Sequence, residues 1–179
     1  GNRTVRPYYW FSNNPFKNTS IYNDALDAIC MYRDQNDGDQ KNIMCIANNG
    51  VCVTIDVTSS GARNNIQNRD LGSDLGITNV SGVIILYQGL RCLILNTNGV
   101  LYECDYQTDD INSTNAYKLS ELRVVQSINL KTISGGLLVK PQSFWCLTDD
   151  PYTSGIWVVD EDTKKVHQFF VNGTKYSSV

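Results

Sequence analysis

The feature that most constrains this chain is a set of short apolar runs with a period of two, several of them joined by Asn-Gly turns. The fullest example is RCLILNTNGVLYECDY at residues 91–106. A two-residue Asn98-Gly99 turn would oppose Leu93 to Cys104 and Ile94 to Glu103. A three-residue turn, Thr97-Asn98-Gly99 with glycine in the left-handed conformation, instead opposes Arg91 to Asp105, Cys92 to Cys104, Ile94 to Tyr102 and Leu95 to Leu101. The second register joins opposite charges and joins apolar groups, so it is the expected one. It sets the two sulfurs side by side on one face, within reach of a bridge if the twist permits.

Other runs follow the same rule. Strands are expected at 43–47, 51–57, 83–88, 90–96, 100–106, 121–130, 143–147, 156–160 and 165–171. The stretch 59–82 is polar and long, and is expected to be a functional or mobile loop. One segment breaks the period: Ile21, Ala25, Ala28, Ile29 and Tyr32 form a stripe at helical spacing, with Ser20 as N-cap and Asp37-Gly38 as stop. The expected fold is a single mainly β domain over residues 1–179, an antiparallel β-sandwich or barrel with one N-terminal α-helix. The echo among CIANNGVC, ILNTNGVLY and FFVNGTKY also suits propeller blades.

Composition narrows the function. A net charge of −3 and a pI near 5.0 argue against nucleic-acid binding, which needs clustered Lys and Arg. No apolar run is long enough to span a membrane as a helix, so no membrane insertion is expected. The chain starts at Gly1, and any signal peptide is expected to have been removed already.

The six cysteines pair most economically as Cys92–Cys104, Cys45–Cys52 across a four-residue loop Ala47–Gly50, and Cys30–Cys146, one of fifteen possible connectivities. Thiols packed in a sheet are the alternative reading. Zinc is disfavoured by the absence of C-x2-C spacing and by a single histidine, so neither metal nor cofactor is expected. Asn2, Asn18, Asn79, Asn112 and Asn172 begin N-x-S/T sequons, candidate glycosylation sites in an exported protein. Together these features suggest an extracellular or virion-surface location.

Catalytic parts are few. His167 lies mid-strand between charged and aromatic residues and reads as a packing or surface residue. Asp109-Asp110, Asp149-Asp150 and Asp160-Glu161-Asp162 offer the paired acids of a glycosidase. Each pair sits beside a turn, where aspartate is favoured without any chemistry. DQNDGD at 34–39 lacks the glycine position and the closing acid of a calcium loop. Trp145, Tyr152 and Trp157 gather in one strand-loop-strand segment. Trp145 and Tyr152, with Arg63 from the polar stretch, are the candidate ligand contacts, by ring stacking and hydrogen bonding.

Residues 89–114, GLRCLILNTNGVLYECDYQTDDINST, with the Tyr8-Tyr9-Trp10 triplet, resemble the central hairpin in the lectin-like head of the rotavirus outer-capsid spike. The six cysteines, the early helix and the C-terminal hairpin depart from that family. The resemblance implies a galectin-like sandwich attaching a virus to a host cell-surface glycan or protein receptor, and it transfers no binding residue. The expected function is non-enzymatic recognition as such an attachment head. A secreted effector or decoy for a host protein, and a small extracellular glycosidase, are the alternatives.

Overall fold

The computed structural model describes residues 26–33, 41–57, 63–86, 89–110, 112–146, 155–172 and 175–178. The chain is mainly β, and its strands fall into three consecutive four-stranded antiparallel sheets. The first holds β1 (Leu26–Arg33), β2 (Lys41–Ala47), β3 (Val51–Val57) and β4 (Arg63–Asp70). The second holds β5 (Val80–Leu86), β6 (Arg91–Asn96), β7 (Val100–Asp105) and β8 (Arg123–Asn129). The third holds β9 (Pro141–Cys146), β10 (Ile156–Asp160), β11 (Val166–Asn172) and β12 (Lys175–Ser178). Each is a simple up-and-down meander in chain order, and the first strands of successive sheets touch: β1 meets β5, and β5 meets β9.

The sheets stack face to face. Met44, Ile46 and Cys52 of the first sheet meet Val83, Cys92, Ile94 and Cys104 of the second in one core, with Tyr106 just beyond β7. The opposite face of the second sheet, through Leu86, Leu93, Leu95 and Leu101, meets Phe144, Ile156, Val158 and Phe169 of the third. This sandwiching explains why β6 is an unbroken buried run from Cys92 to Asn96. A strand covered on both sides has no solvent face to carry polar residues.

The β6–β7 register is the one the sequence favours, with Cys92 opposite Cys104 and Leu95 opposite Leu101. Gly99 takes φ +87° and closes a three-residue turn by donating its N–H to the Asn96 carbonyl. The β2–β3 hairpin uses the same device: Gly50, at φ +95°, donates to the Ala47 carbonyl. That turn is one residue shorter than the four-residue loop expected there, and the register changes with it. Ile46, not Cys45, opposes Cys52.

A second repeated device joins each turn to the connection that follows. Asp70 caps α1 (Leu71–Leu75), its carboxylate accepting from the Ser73 N–H; Asn129 caps α2 (Leu130–Ile133), accepting from the Thr132 N–H. Side-chain capping satisfies backbone donors that have no partner within the helix. In both, the first helical residue is a fully buried leucine whose N–H donates to the turn glycine: Leu71 to Gly50 (3.0 Å) and Leu130 to Gly99 (2.8 Å). Turn and connection are thereby stitched at the same place in two successive sheets.

Two expectations fail within the described residues. The part of the helical stripe that is described, Leu26–Arg33, is strand β1, paired along its length with β2. Tertiary pairing overrides the local period, because β1 is the strand that meets β5. The polar stretch 59–82 contains β4 and α1 rather than a continuous loop.

Candidate recognition surface

The strand that sequence reading missed, β4, holds a surface segment of the neighbouring sheet in place. Gln67 and Arg69 are two residues apart and so project to the same face. Gln67 works as a surrogate peptide group: its Nε2 donates to the Tyr117 carbonyl at 2.9 Å and its Oε1 accepts from the Leu119 N–H at 2.8 Å. Arg69 Nη1 faces three carbonyl oxygens, those of Leu119, Ser120 and Leu122, at 2.9, 3.2 and 2.6 Å, and Nε pairs with Asp74 at 2.8 Å. The guanidinium's fixed fork suits such a cluster of acceptors.

The segment so gripped is the β7–β8 connection, residues 106–122, which ends in a 3-10 turn at Leu119–Glu121. Leu119 and Leu122 drop into the core between the first two sheets, while Asp109, Asp110, Asn112 and Thr114 remain exposed. Its outer part holds its own shape. Thr108 Oγ1 accepts the Asp110 N–H, Asp110 accepts the Asn112 N–H, and Arg91 pairs with Asp109 at 3.0 Å. Beside it lies a shallow cleft lined by Gln67, Asn68, Arg69, Asp74, Leu119 and Ser120.

The other candidate surface is the face of the third sheet turned away from the second. Trp145 on β9 opposes Trp157 on β10, and their rings stack at 6.2 Å, 8° from parallel. Trp145 is 39% exposed and Val166 52%. Among the expected contacts, Trp145 is therefore at the surface; Tyr152 lies outside the described residues, and Arg63 opens β4 with its side chain outside those described.

The acids are committed to structure. Asp160 is fully buried, and its carboxylate accepts the N–H groups of Val139, Lys140, Asp162 and Thr163 at 2.7 to 3.3 Å. Burial alone would raise its pKa, but those N–H donors outweigh it and hold the carboxyl well below the usual range. His167 Nε2 lies 3.7 Å from Asp160. Asp105 accepts from Arg123 at 2.8 Å and from the Gln107 N–H; against its burial, these bonds and the charges of Arg123 and Arg91 lower its pKa. Asp149-Asp150 and the 34–39 segment lie outside the described residues.

The expected disulfides are not formed. Cys45, Cys52 and Cys104 are buried thiols, so Cys92–Cys104 is unbridged despite its direct cross-strand register, and Cys45–Cys52 is ruled out by the turn. Cys146 donates its S–H to the Gly155 carbonyl at 3.3 Å. Cys30, opposite Met44 on β1, is separated from β9 by the intervening β5. Of the sequons, Asn79 and Asn112 are exposed, Asn172 ends β11, and Asn2 and Asn18 lie outside the described residues.

Three stacked antiparallel meanders define the fold class. No family model matches the chain, and no curated protein matches it. Among solved structures it is similar to Kluyveromyces lactis Hsv2, at 12% identity and TM-score 0.47 over 88% of this chain and 46% of that one. It is also similar to a chain of the yeast heterotrimeric Nup82-Nup159-Nup116 nucleoporin complex, at 14% identity and TM-score 0.44 over 89% of this chain and 33% of that one. The chain spans less than half the length of either. The expectation of viral attachment, a host cell-surface partner and an extracellular or virion-surface location does not stand. The Cys92–Cys104 and Cys45–Cys52 pairs that pointed to an oxidising compartment are unbridged.

Proposed function

We propose that the chain is a non-enzymatic recognition module. Its sheets act as propeller-like blades, and the clamped 106–122 segment with its adjoining cleft forms the contact surface for a partner protein. The grip of Gln67 and Arg69 carries this reading. Two side chains from one sheet hold a polar, irregular segment of the next, so its exposed Asp, Asn and Thr groups meet a partner without paying to be ordered first. Functional residues are concentrated on loops held by a rigid scaffold. The paired-acid hydrolase gains no support from these acids: Asp109 pairs with Arg91, Asp110 accepts the Asn112 N–H, and both oxygens of Asp160 are taken by four backbone donors.

A photo-crosslinking residue at Thr114, with one at Lys131 at the opposite end of the second sheet as control, tests the assignment. The expected result is a protein captured at Thr114 only, whose binding in purified form weakens when Asp110 and Thr114 are replaced by alanine. Binding indifferent to those replacements, or hydrolysis of a glycoside that disappears when one acid is changed, would sink it.

A further inference from the structure

Three Asn-Gly steps occur in the chain, at 49–50, 98–99 and 172–173. The first two close hairpins of one design, yet their asparagines are held differently. In both, the glycine N–H donates to the carbonyl three residues back, the glycine carbonyl accepts a leucine N–H, and the asparagine is exposed. The difference lies in what binds the N–H of the valine after the glycine. In the first turn Asn49 Oδ1 accepts the Val51 N–H at 3.1 Å. In the second that task passes to Asn96, whose Oδ1 accepts the Val100 N–H at 2.8 Å. Ala47 occupies the place of Asn96 in the first turn and has no oxygen to offer. Asn98 is therefore left with its side-chain amide unbonded among the described residues. The glycines are also packed differently. A Cβ on Gly50 would strike the Ile77 carbonyl oxygen and the Gly72 backbone, whereas the atoms nearest a Cβ on Gly99 are methylenes of the Lys131 side chain. A lysine stem can move aside where backbone cannot.

We propose that Asn98 is a spontaneous deamidation site of the folded protein, and that Asn49 is protected from the same reaction. The Gly99 amide nitrogen gives up its proton to water and bonds to Asn98 Cγ. The Cγ–Nδ2 bond breaks, and ammonia leaves after taking a proton back from water, closing a cyclic imide. Water then opens the imide at Cγ to give aspartate, or at the main-chain carbonyl to give isoaspartate, in which the chain runs through Cβ and Cγ. Only water is consumed, and the missing Cβ of glycine lets its nitrogen approach the side chain. Ring closure needs the asparagine side chain to swing free and the next peptide to turn toward it. Asn98 meets the first demand as it stands; Asn49 must first give up a hydrogen bond. An isoaspartate at 98 lengthens the turn by one backbone atom and so loosens the Gly99 carbonyl that receives the Leu130 N–H.

Peptide mapping of the purified native chain, aged at mildly alkaline pH, reads conversion at each asparagine, and isoaspartyl methyltransferase labelling separates the two products. Asn98 is expected to convert faster than Asn49, by roughly two- to tenfold from the one hydrogen bond alone, while the two convert at comparable rates in urea-unfolded chain. The isoaspartyl fraction should exchange its Leu130 amide hydrogen faster than the parent does. Equal rates at 49 and 98 in the native chain, or an Asn98 that stays intact there while the unfolded chain converts, overturns the proposal. Unaltered exchange at Leu130 overturns its structural consequence.

Discussion

Cys45 and Cys52, seven residues apart across one hairpin, lie on opposite faces of the first sheet. Cys45 opposes Val53 and joins the outward cluster; Cys52 opposes Ile46 and faces the second sheet. Burial pushes the Cys45 thiol up to about 12 and raises Cys52 as well, the latter with a further rise from its thiol neighbours Cys45 and Cys104.

Neither thiol is therefore available as a nucleophile in the native state, because the thiolate is the reactive form. Under native conditions at neutral pH, Cys45, Cys52 and Cys104 are expected to resist alkylation, and to label fully once the chain is unfolded without reductant. Peptide mapping with two isotopic forms of one alkylating reagent reads both steps. Recovery of a Cys92–Cys104 or Cys45–Cys52 peptide from fresh non-reduced protein would contradict the register and thiol state described above.

The β4 clamp should be felt at a distance in sequence. Gln67→Ala leaves the Leu119 N–H and Tyr117 carbonyl without their partner, and a cost of about 1–3 kcal/mol is expected for such part-buried groups. Hydrogen exchange should rise selectively across 112–122 while β6 stays protected. Arg69→Lys should behave like Arg69→Ala in the same experiment, because an ammonium lacks the planar fork.

Asp160 should dominate the acid limb of stability. Its folded-state pKa is depressed, so its contribution is present above the unfolded value of about 3.9 and is lost as pH falls toward the folded value. Asp105 and Asp70 are shifted in the same direction, Asp70 by the Ser73 N–H and hydroxyl. Urea denaturation from pH 7 downward should show stability falling from about pH 4, with a shallower fall in Asp160→Asn. Asp160→Ala strands the bonded backbone donors in a buried site and should cost about 3 kcal/mol. An unchanged acid limb in Asp160→Asn would refute this role.

Gly50 should be intolerant of any side chain. Its φ of +95° disfavours L residues, and a Cβ there would collide with the Ile77 carbonyl oxygen and the Gly72 backbone. Gly50→Ala should therefore lose more than about 1 kcal/mol. Gly76→Ala tests the conformational part alone, because Gly76 has positive φ but open space around its Cβ position. Thermal unfolding of both variants separates strain from collision, and equal losses would contradict the close packing of turn on helix.

Much of the strand content was legible in the sequence because burial leaves a period-two record. Val51–Val57 and Ile156–Asp160 match their expected limits, and β6–β7 matches residue for residue because its turn glycine and its charge pair agree on one register. The strand β4 left no such record: RNNIQNRD pairs through its backbone while Gln67 and Arg69 hold the β7–β8 connection, so no apolar alternation marks it. The repeat that could have exposed the architecture is short and unevenly spaced, Asn49-Gly50 with Asp70-Leu71 and Asn98-Gly99 with Asn129-Leu130. It becomes recognisable only once both leucines are seen bonded to turn glycines.

The sequence by itself thus determined the β6–β7 turn with its register and the period-two alternation of the apolar strands, since these depend on φ preferences and neighbours a few residues away, whereas the β2–β3 turn came out one residue shorter than expected. Tertiary structure alone decided that 26–33 is strand, that Cys92 and Cys104 stay reduced while aligned, and that Gln67 and Arg69 grip a segment some fifty residues on. Those outcomes turn on which sheet faces which. Long-range packing sets that through buried area and the need to pair every buried polar group, and neither quantity can be read from a local window.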